Sequence, residues 1–355
     1  MHLKIHPKDK MTPLERERAI AENKDYDRII MDPFLGDIKA RIIGKNIADY
    51  WSDANNLLMG DVEAMNRFGL DIMDAGPNLY GIAEAMGAVL HFPEHGYISA
   101  KNRPIYSIDE VSKLKYITKD SGRMAIYYNA NAKLREIADG FCRVCTSLSG
   151  PITLAGLLLG TDNLLREMVS SPDKVHIFLR YITDNIKYVV DIFAGLDIDF
   201  AMADPIASCT VISPQIYLEF AYPYTLEISS YIREKSGKAP TYHVCGNTKQ
   251  VWKYIKNLDI GIFSIDNKMD IDETCDFFSD SNRIAGNVDS VSIICHGTKN
   301  DIENEVKRCI RAGRKCKKGF ILTPGCNLPL DTTDEKIDMF LDAGRKYSTI
   351  ISLIK

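Results

Sequence analysis

His243 and Cys245 lie two positions apart in Tyr242-His243-Val244-Cys245-Gly246-Asn247, and Cys326 follows eighty-one positions later in Thr323-Pro324-Gly325-Cys326-Asn327. Each motif closes an apolar run and abuts a glycine. In an extended segment residues i and i+2 face the same side, so the first motif aims an imidazole nitrogen and a sulfur at one point. Cys326 completes an N/S/S set that suits zinc and leaves a fourth position open for a reacting group. A His-x-Cys pair alone is weak evidence, because free cysteine usually behaves as a small buried hydrophobe. The matched context points to a metal: two strand ends, each running into a glycine-flanked turn where backbone can approach a ligand closely.

Side chains so far apart in sequence meet only if the strands that carry them end at one level. Strands are expected at 69–74, 88–92, 140–148, 197–203, 239–244, 260–265, 283–286 and 319–323. Helices are expected at 172–194, 214–234, 248–257, 271–278, 301–315 and 334–352. Pro172 and Pro214 fall in first helical turns, where proline is tolerated. Alternating strand and helix implies parallel strands with helical crossovers. Eight such strands imply an α/β fold, a closed (β/α)8 TIM barrel. The strand at 88–92 is the weakest member, and 76–106 has room for a hairpin. An open doubly wound sheet is the alternative, but no Gly-x-Gly-x-x-Gly follows a strand. Residues 1–64 read as an N-terminal helical extension and 65–355 as the barrel, in one domain. The extension opens with a capping signature: Thr12 at the N-cap, Pro13 at the first helical position, Glu15 three residues on.

Polar groups recur where these strands end. Asp204 follows Phe200-Ala201-Met202-Ala203, Asp266 follows Ile262-Phe263-Ser264-Ile265, and Asn287 follows Ile284-Ala285-Gly286. The carboxyl ends of barrel strands are the catalytic face. These three are therefore candidate catalytic residues that would orient a substrate, hydrogen-bond His243 or act as a fourth ligand. Helix capping is the competing role for such carboxylates. Gly246 and Asn247 are candidate cofactor contacts. Cys142 and Cys145 have Cys-x-x-Cys spacing but lie in a strand, where i and i+3 face opposite ways, so they read as core. Cys295 and His296 sit past the seventh strand without a matching partner spacing.

Composition bounds the rest. The 355 residues are 45% hydrophobic and 26% charged with a net charge of −4, ordinary for a globular chain and without the basic stripe of a nucleic-acid binder. No apolar stretch reaches the ~20 residues of a membrane span, and the N-terminus lacks a signal-peptide core. Nine cysteines, scattered through strands and helices, fit reduced thiols in a cytoplasmic protein.

With the motifs in place, the chain resembles the uroporphyrinogen decarboxylase superfamily, and within it the zinc-dependent corrinoid methyltransferases that use coenzyme M. The resemblance rests on Met11-Thr12-Pro13-Leu14-Glu15-Arg16, Gly150-Pro151-Ile152-Thr153-Leu154-Ala155-Gly156, Ala203-Asp204-Pro205-Ile206-Ala207-Ser208, His243-Val244-Cys245-Gly246-Asn247, Gly286-Asn287-Val288-Asp289 and Gly319 through Cys326. It implies a (β/α)8 barrel, zinc on His243, Cys245 and Cys326, and methyl transfer between a methylcobalamin-type corrinoid and a zinc-activated thiol such as coenzyme M. No Asp-x-His-x-x-Gly corrinoid signature is present, so the corrinoid is expected on a separate partner protein. Activation of a methyl donor upstream of the corrinoid, or transfer to tetrahydrofolate, are alternatives of the same class. A porphyrinogen-type decarboxylase is a second class. It is disfavoured because the Arg-Gln-Ala-Gly-Arg motif of the decarboxylases is absent, the region reading Met31-Asp32-Pro33-Phe34-Leu35-Gly36-Asp37.

Overall fold

Parallel strands cannot be joined by tight turns, and the chain supplies a helix or longer excursion between each pair. The computed structural model describes residues 1–352, with side chains through Ser348. In chain order the strands are β1 (Ile30–Met31), β2 (Ile72–Asp74), β3 (Val89–His91), β4 (Ser99–Asn102), β5 (Arg143–Ser149), β6 (Asp199–Ala203), β7 (Thr241–Val244), β8 (Ile262–Ile265), β9 (Arg283–Val288) and β10 (Phe320–Pro324). Eight of them form one all-parallel sheet in the order β1-β10-β9-β8-β7-β6-β5-β2, curled into a (β/α)8 barrel. The helices Pro172–Ala194, Ile271–Phe278 and Asp334–Ser352 have the bounds expected from their apolar periodicity. No helix among the described residues is long and apolar enough to cross a membrane.

Barrel membership differs from expectation at the N-terminal end. The 88–92 strand forms, but it pairs antiparallel with β4 in a two-stranded hairpin outside the barrel. The eighth barrel strand is β1, inside the 1–64 segment read as helical, so the barrel begins ahead of residue 65. Two residues followed by Asp32-Pro33 are too short to display a period-two pattern, whereas exposed Val89 and His91 belong to a solvated hairpin.

Most of the hydrophobic core lies between the sheet and its surrounding helices. Inside the barrel a small layer of Ile30, Ala285 and Ile321 packs with Ile262 and with Ile20 of the first helix, Pro13–Ala21. That helix starts with the expected capping box: Thr12 Oγ1 accepts from Glu15 N at 3.2 Å, and Glu15 Oε2 accepts from Thr12 N at 2.8 Å. It lies under the barrel floor, where Glu17 pairs with Arg143 at the start of β5 and Arg283 at the start of β9, at 3.0 and 3.1 Å.

Beside it, a buried ionic network closes the seam between β1 and β2. Asp71 accepts from Arg16 and Arg28 at 2.5 Å each, and from the backbone N–H of Met31 at 2.7 Å. Asp9 in turn pairs with Arg28 at 2.9 Å and with Arg345 of the C-terminal helix at 2.8 Å. Burial works to raise the Asp9 carboxyl, but its hydrogen bonds to Arg28 and Arg345 outweigh this and hold it down to about 2. Removing one partner of a buried charged set is costly because the others stay buried without compensation. Asp71→Asn should therefore lose about 3–5 kcal/mol in urea unfolding at pH 7. In the wild-type protein the Asp9 contribution is complete above its ordinary carboxylate value of 3.8 and should fade as pH falls towards 2. An unchanged urea midpoint for Asp71→Asn would mean that the network does not close the seam.

Candidate metal centre at the barrel mouth

Strand register places the imidazole. His243 on β7 aligns with Ala203 on β6 and Ser264 on β8. Paired residues of parallel neighbours point to the same side of the sheet, and His243 Nδ1 lies 3.0 Å from Ser264 Oγ. The other ring nitrogen, Nε2, lies 3.2 Å from Cys245 Sγ. Cys326 arrives from the end of β10, and the three potential ligand atoms of His243, Cys245 and Cys326 all lie within 4.8 Å of one another. His243 and Cys245 are half-buried while Cys326 is exposed, so the cluster opens to one side.

The donor set fits a divalent ion. Hydrogen bonds from Cys245 and then from His243 hold the Cys326 thiol well below its ordinary value. The Cys245 thiol is pushed strongly up, by its hydrogen bond to Cys326, by burial and by the charge of Asp266. A second thiolate beside the first is electrostatically costly, and a bound cation removes that cost.

Both cysteine-bearing turns are wedged against neighbouring loops through their glycines. Gly246 has φ +71°, and a Cβ there would lie 2.5 Å from Thr210 Oγ1 and 2.7 Å from Ser208 Oγ. A Cβ on Gly325 would lie 2.2 Å from Asn267 N. The close approach that glycine permits here is by the protein's own loops. Asn247 continues the packing: its N–H donates to Thr210 Oγ1 at 2.9 Å, its carbonyl accepts from Cys209 N at 2.9 Å, and its Oδ1 accepts from Lys249 N at 3.0 Å. Gly246 is half-buried and Asn247 exposed.

The three strand-end candidates occupy different settings. Asp204 is fully buried; its Oδ1 accepts from Thr153 N at 2.7 Å and its Oδ2 from Ile152 N at 3.4 Å, at the start of the helix Pro151–Leu159. Burial pushes its carboxyl up to about 6, against those hydrogen bonds. Asp266 is close enough to Cys245 to act on its charge, and its Oδ1 accepts from Lys268 N at 2.8 Å. Asn287 is buried and donates to the carbonyls of Asp266 and Met269 at 3.1 and 2.8 Å, which ties down the loop after β8.

Sequence reasoning did not single out Ser264, the hydrogen-bond partner of His243. Its only sequence signal is a hydroxyl in an apolar strand, facing the same side as a neighbouring strand's histidine. Two further carboxylates reach the mouth. Asp74 at the end of β2 accepts a hydrogen bond from Ser147 Oγ of β5, and Asp32 just after β1 is pushed up to about 6 chiefly by burial. Asp32 went unnoticed because its strand did. Cys142 is buried and Cys145 half-buried on opposite faces of the β5 segment, as expected of core residues.

Comparison with known proteins gives a consistent family. Residues 12–347 match the family described as uroporphyrinogen decarboxylase (URO-D). A methylated-thiol–coenzyme M methyltransferase of Methanosarcina mazei is 26% identical over 244 residues, 67% of this chain; the chain thus spans 64% of that protein's length. A methylcobamide:CoM methyltransferase of the same organism is 27% identical over 274 residues, 77% of each chain. A uroporphyrinogen decarboxylase of Prochlorococcus marinus is 24% identical over 260 residues, 71% of this chain and 72% of its own. Among solved structures, a methyltransferase from Methanosarcina mazei superposes with a TM-score of 0.84 at 18% identity, over 95% of this chain and 99% of its own, which shows the same fold. The matched stretch runs from the floor helix through all eight barrel strands to the C-terminal helix, and the chain belongs to the uroporphyrinogen decarboxylase family.

Proposed function

We propose that this protein is a zinc- and corrinoid-dependent methyltransferase that passes a methyl group from a methylcorrinoid, presented by a partner protein, to a thiol acceptor such as coenzyme M. The observation that carries the reading is the convergence of one imidazole and two sulfurs within 4.8 Å at the barrel mouth, with an open side. The two methyltransferase relatives, named for methyl-bearing and coenzyme M substrates, support it. His243, Cys245 and Cys326 would hold the zinc. Bound there, zinc would supply a cation that keeps an acceptor thiol ionised at neutral pH while the protein thiolates temper its acidity.

The protein's own groups set up that chemistry. With zinc on Nε2, the neutral imidazole would carry its proton on Nδ1 and donate it to Ser264 Oγ, 3.0 Å away, which would hold the ring in place. Gly246 and Gly325 let the two sulfur-bearing turns seat against the loops after β6 and β8, so the sulfurs are placed before any ligand binds. In this reading Asp266 faces the acceptor beside Cys245, Asn287 holds the Asp266 loop in place, and Asp204 anchors the helix that lines the mouth. Gly246 and Asn247 present the rim that a corrinoid would meet.

A decarboxylase is the competing reading, because decarboxylase relatives are nearly as similar. A polycarboxylate substrate wants free guanidinium groups, and the arginines flanking 31–37 are engaged. Arg28 pairs with Asp9 and Asp71, and Arg41 donates to the Leu330 and Thr332 carbonyls and to Asp334.

Two sets of variants test the proposal. Cys245→Ser and Cys326→Ala should lose zinc and stop the thiol-dependent loss of methyl–cobalt absorbance from methylcobalamin, while far-ultraviolet circular dichroism is unchanged. Wild-type zinc content and rate in either variant would sink the assignment. Ser264→Ala should keep the fold and all three ligands yet weaken zinc about 10–100-fold in competition with a chromogenic chelator. If zinc affinity is unaltered, Ser264 does not orient the imidazole.

A further inference from the structure

We infer that Cys295, His296 and Asp331 form a second divalent-metal site, of zinc type, that clips the turn after β9 to the loop leading away from Cys326. One sulfur, one imidazole nitrogen and one carboxylate oxygen from these residues lie within 4.8 Å of one another. Cys295 Sγ is 3.6 Å from Asp331 Oδ1. Cys295 is 8% exposed, whereas His296 and Asp331 are exposed, so the group has a soft donor from a buried residue and two donors from residues at the solvent edge. Thiolate, imidazole and carboxylate together suit zinc, with a fourth position left for water.

The segments that bring these donors are fixed without a metal, which lowers the ordering cost of binding one. Cys295 ends the helical turn Ser290–Cys295, and the following residues stay hydrogen-bonded to it: His296 N to Val291 O at 3.1 Å and Gly297 N to Ile293 O at 3.1 Å. On the other side, Arg41 donates to the carbonyls of Leu330 and Thr332, flanking Asp331, at 2.8 Å each. Tyr97 OH accepts from Leu330 N at 3.2 Å. Lys336 Nζ, a nearby cation, is engaged by the Gly297 carbonyl. A thiol–carboxylate hydrogen bond alone would not require His296 at the same point. Binding would release the Cys295 thiol proton to solvent, leaving thiolate and carboxylate to balance the divalent charge. Asp331 lies five residues beyond Cys326, so the clip would stiffen the loop that presents that sulfur to the mouth.

Metal counting on the full-length protein decides the matter. After loading with zinc and gel filtration, inductively coupled plasma mass spectrometry should find two zinc ions per wild-type chain. His296→Ala and Asp331→Asn, both at exposed positions, should each weaken one of the two at least about tenfold, leaving one zinc per chain. Cys245→Ser/Cys326→Ala should also leave one, held at the second site. Cobalt substitution separates the sites, since the second carries a single sulfur and its thiolate-to-cobalt absorption should survive in Cys245→Ser/Cys326→Ala and vanish on adding Cys295→Ser. One zinc in the wild type that His296→Ala leaves untouched would overturn the inference. One zinc lost in His296→Ala but kept in Cys245→Ser/Cys326→Ala would uphold it and reject the first site instead.

Discussion

The Asp71 carboxylate is the contact on which the geometry of the mouth depends. The end strands of the sheet are its shortest, two residues in β1 and three in β2. Their seam is spanned by Asp71, which accepts from the Met31 backbone and from two buried arginines. β10 hydrogen-bonds to β1 on one side and to β9 on the other. If the seam opens, β1 becomes a two-residue edge held by β10 alone, and β10, which carries Cys326, loses the closed ring that fixes it relative to His243 and Cys245 on β7. Closure is therefore what turns three residues distant in sequence into one cluster.

The two ends of the barrel divide the charged work. At the floor, Arg16, Arg28, Arg143 and Arg283 are consumed by Asp9, Asp27, Asp71, Asp199 and Glu17, several of them deeply buried. Such sets bring modest net stability but penalise alternative pairings, which suits a seam that must close in one register. At the mouth the polar groups are aimed inward or upward, and glycines let loops press together so that sulfur positions are set by backbone packing. Placing stability at one end and reactive groups at the other is the usual logic of barrels.

Period-two alternation made the central cluster legible in the sequence. His243 and Cys245 share a side of β7 for that reason, and a second glycine-flanked cysteine after an apolar run supplied Cys326. Long helices were equally legible, from proline at first turns and sustained apolar periodicity. β1 was not, because two residues carry no period. Nor was Ser264, since a lone serine in a strand carries no signal until register sets it beside an imidazole. The wedge of Gly325 against Asn267 and the approach of Asp331 to Cys295 are tertiary facts, fixed by loops whose paths no local pattern encodes. Strand-end carboxylates were legible as positions but not as roles: Asp204 receives two backbone N–H groups of a helix start, whereas Asp266 acts on Cys245.

Zinc-edge X-ray absorption, with and without an acceptor thiol, tests methyl-acceptor activation at His243, Cys245 and Cys326 most directly. It is best done on Asp331→Asn protein carrying one zinc per chain, so that a single site is read. The resting spectrum should show two sulfurs at about 2.3 Å and one imidazole nitrogen at about 2.0–2.1 Å. Coenzyme M should raise the sulfur count to three, with release of close to one proton per zinc near neutral pH, since a free thiol with pKa about 8.5 stays largely protonated there. An unchanged sulfur count and no proton release would contradict thiol activation and move the enzyme to the methyl-donor side of the corrinoid.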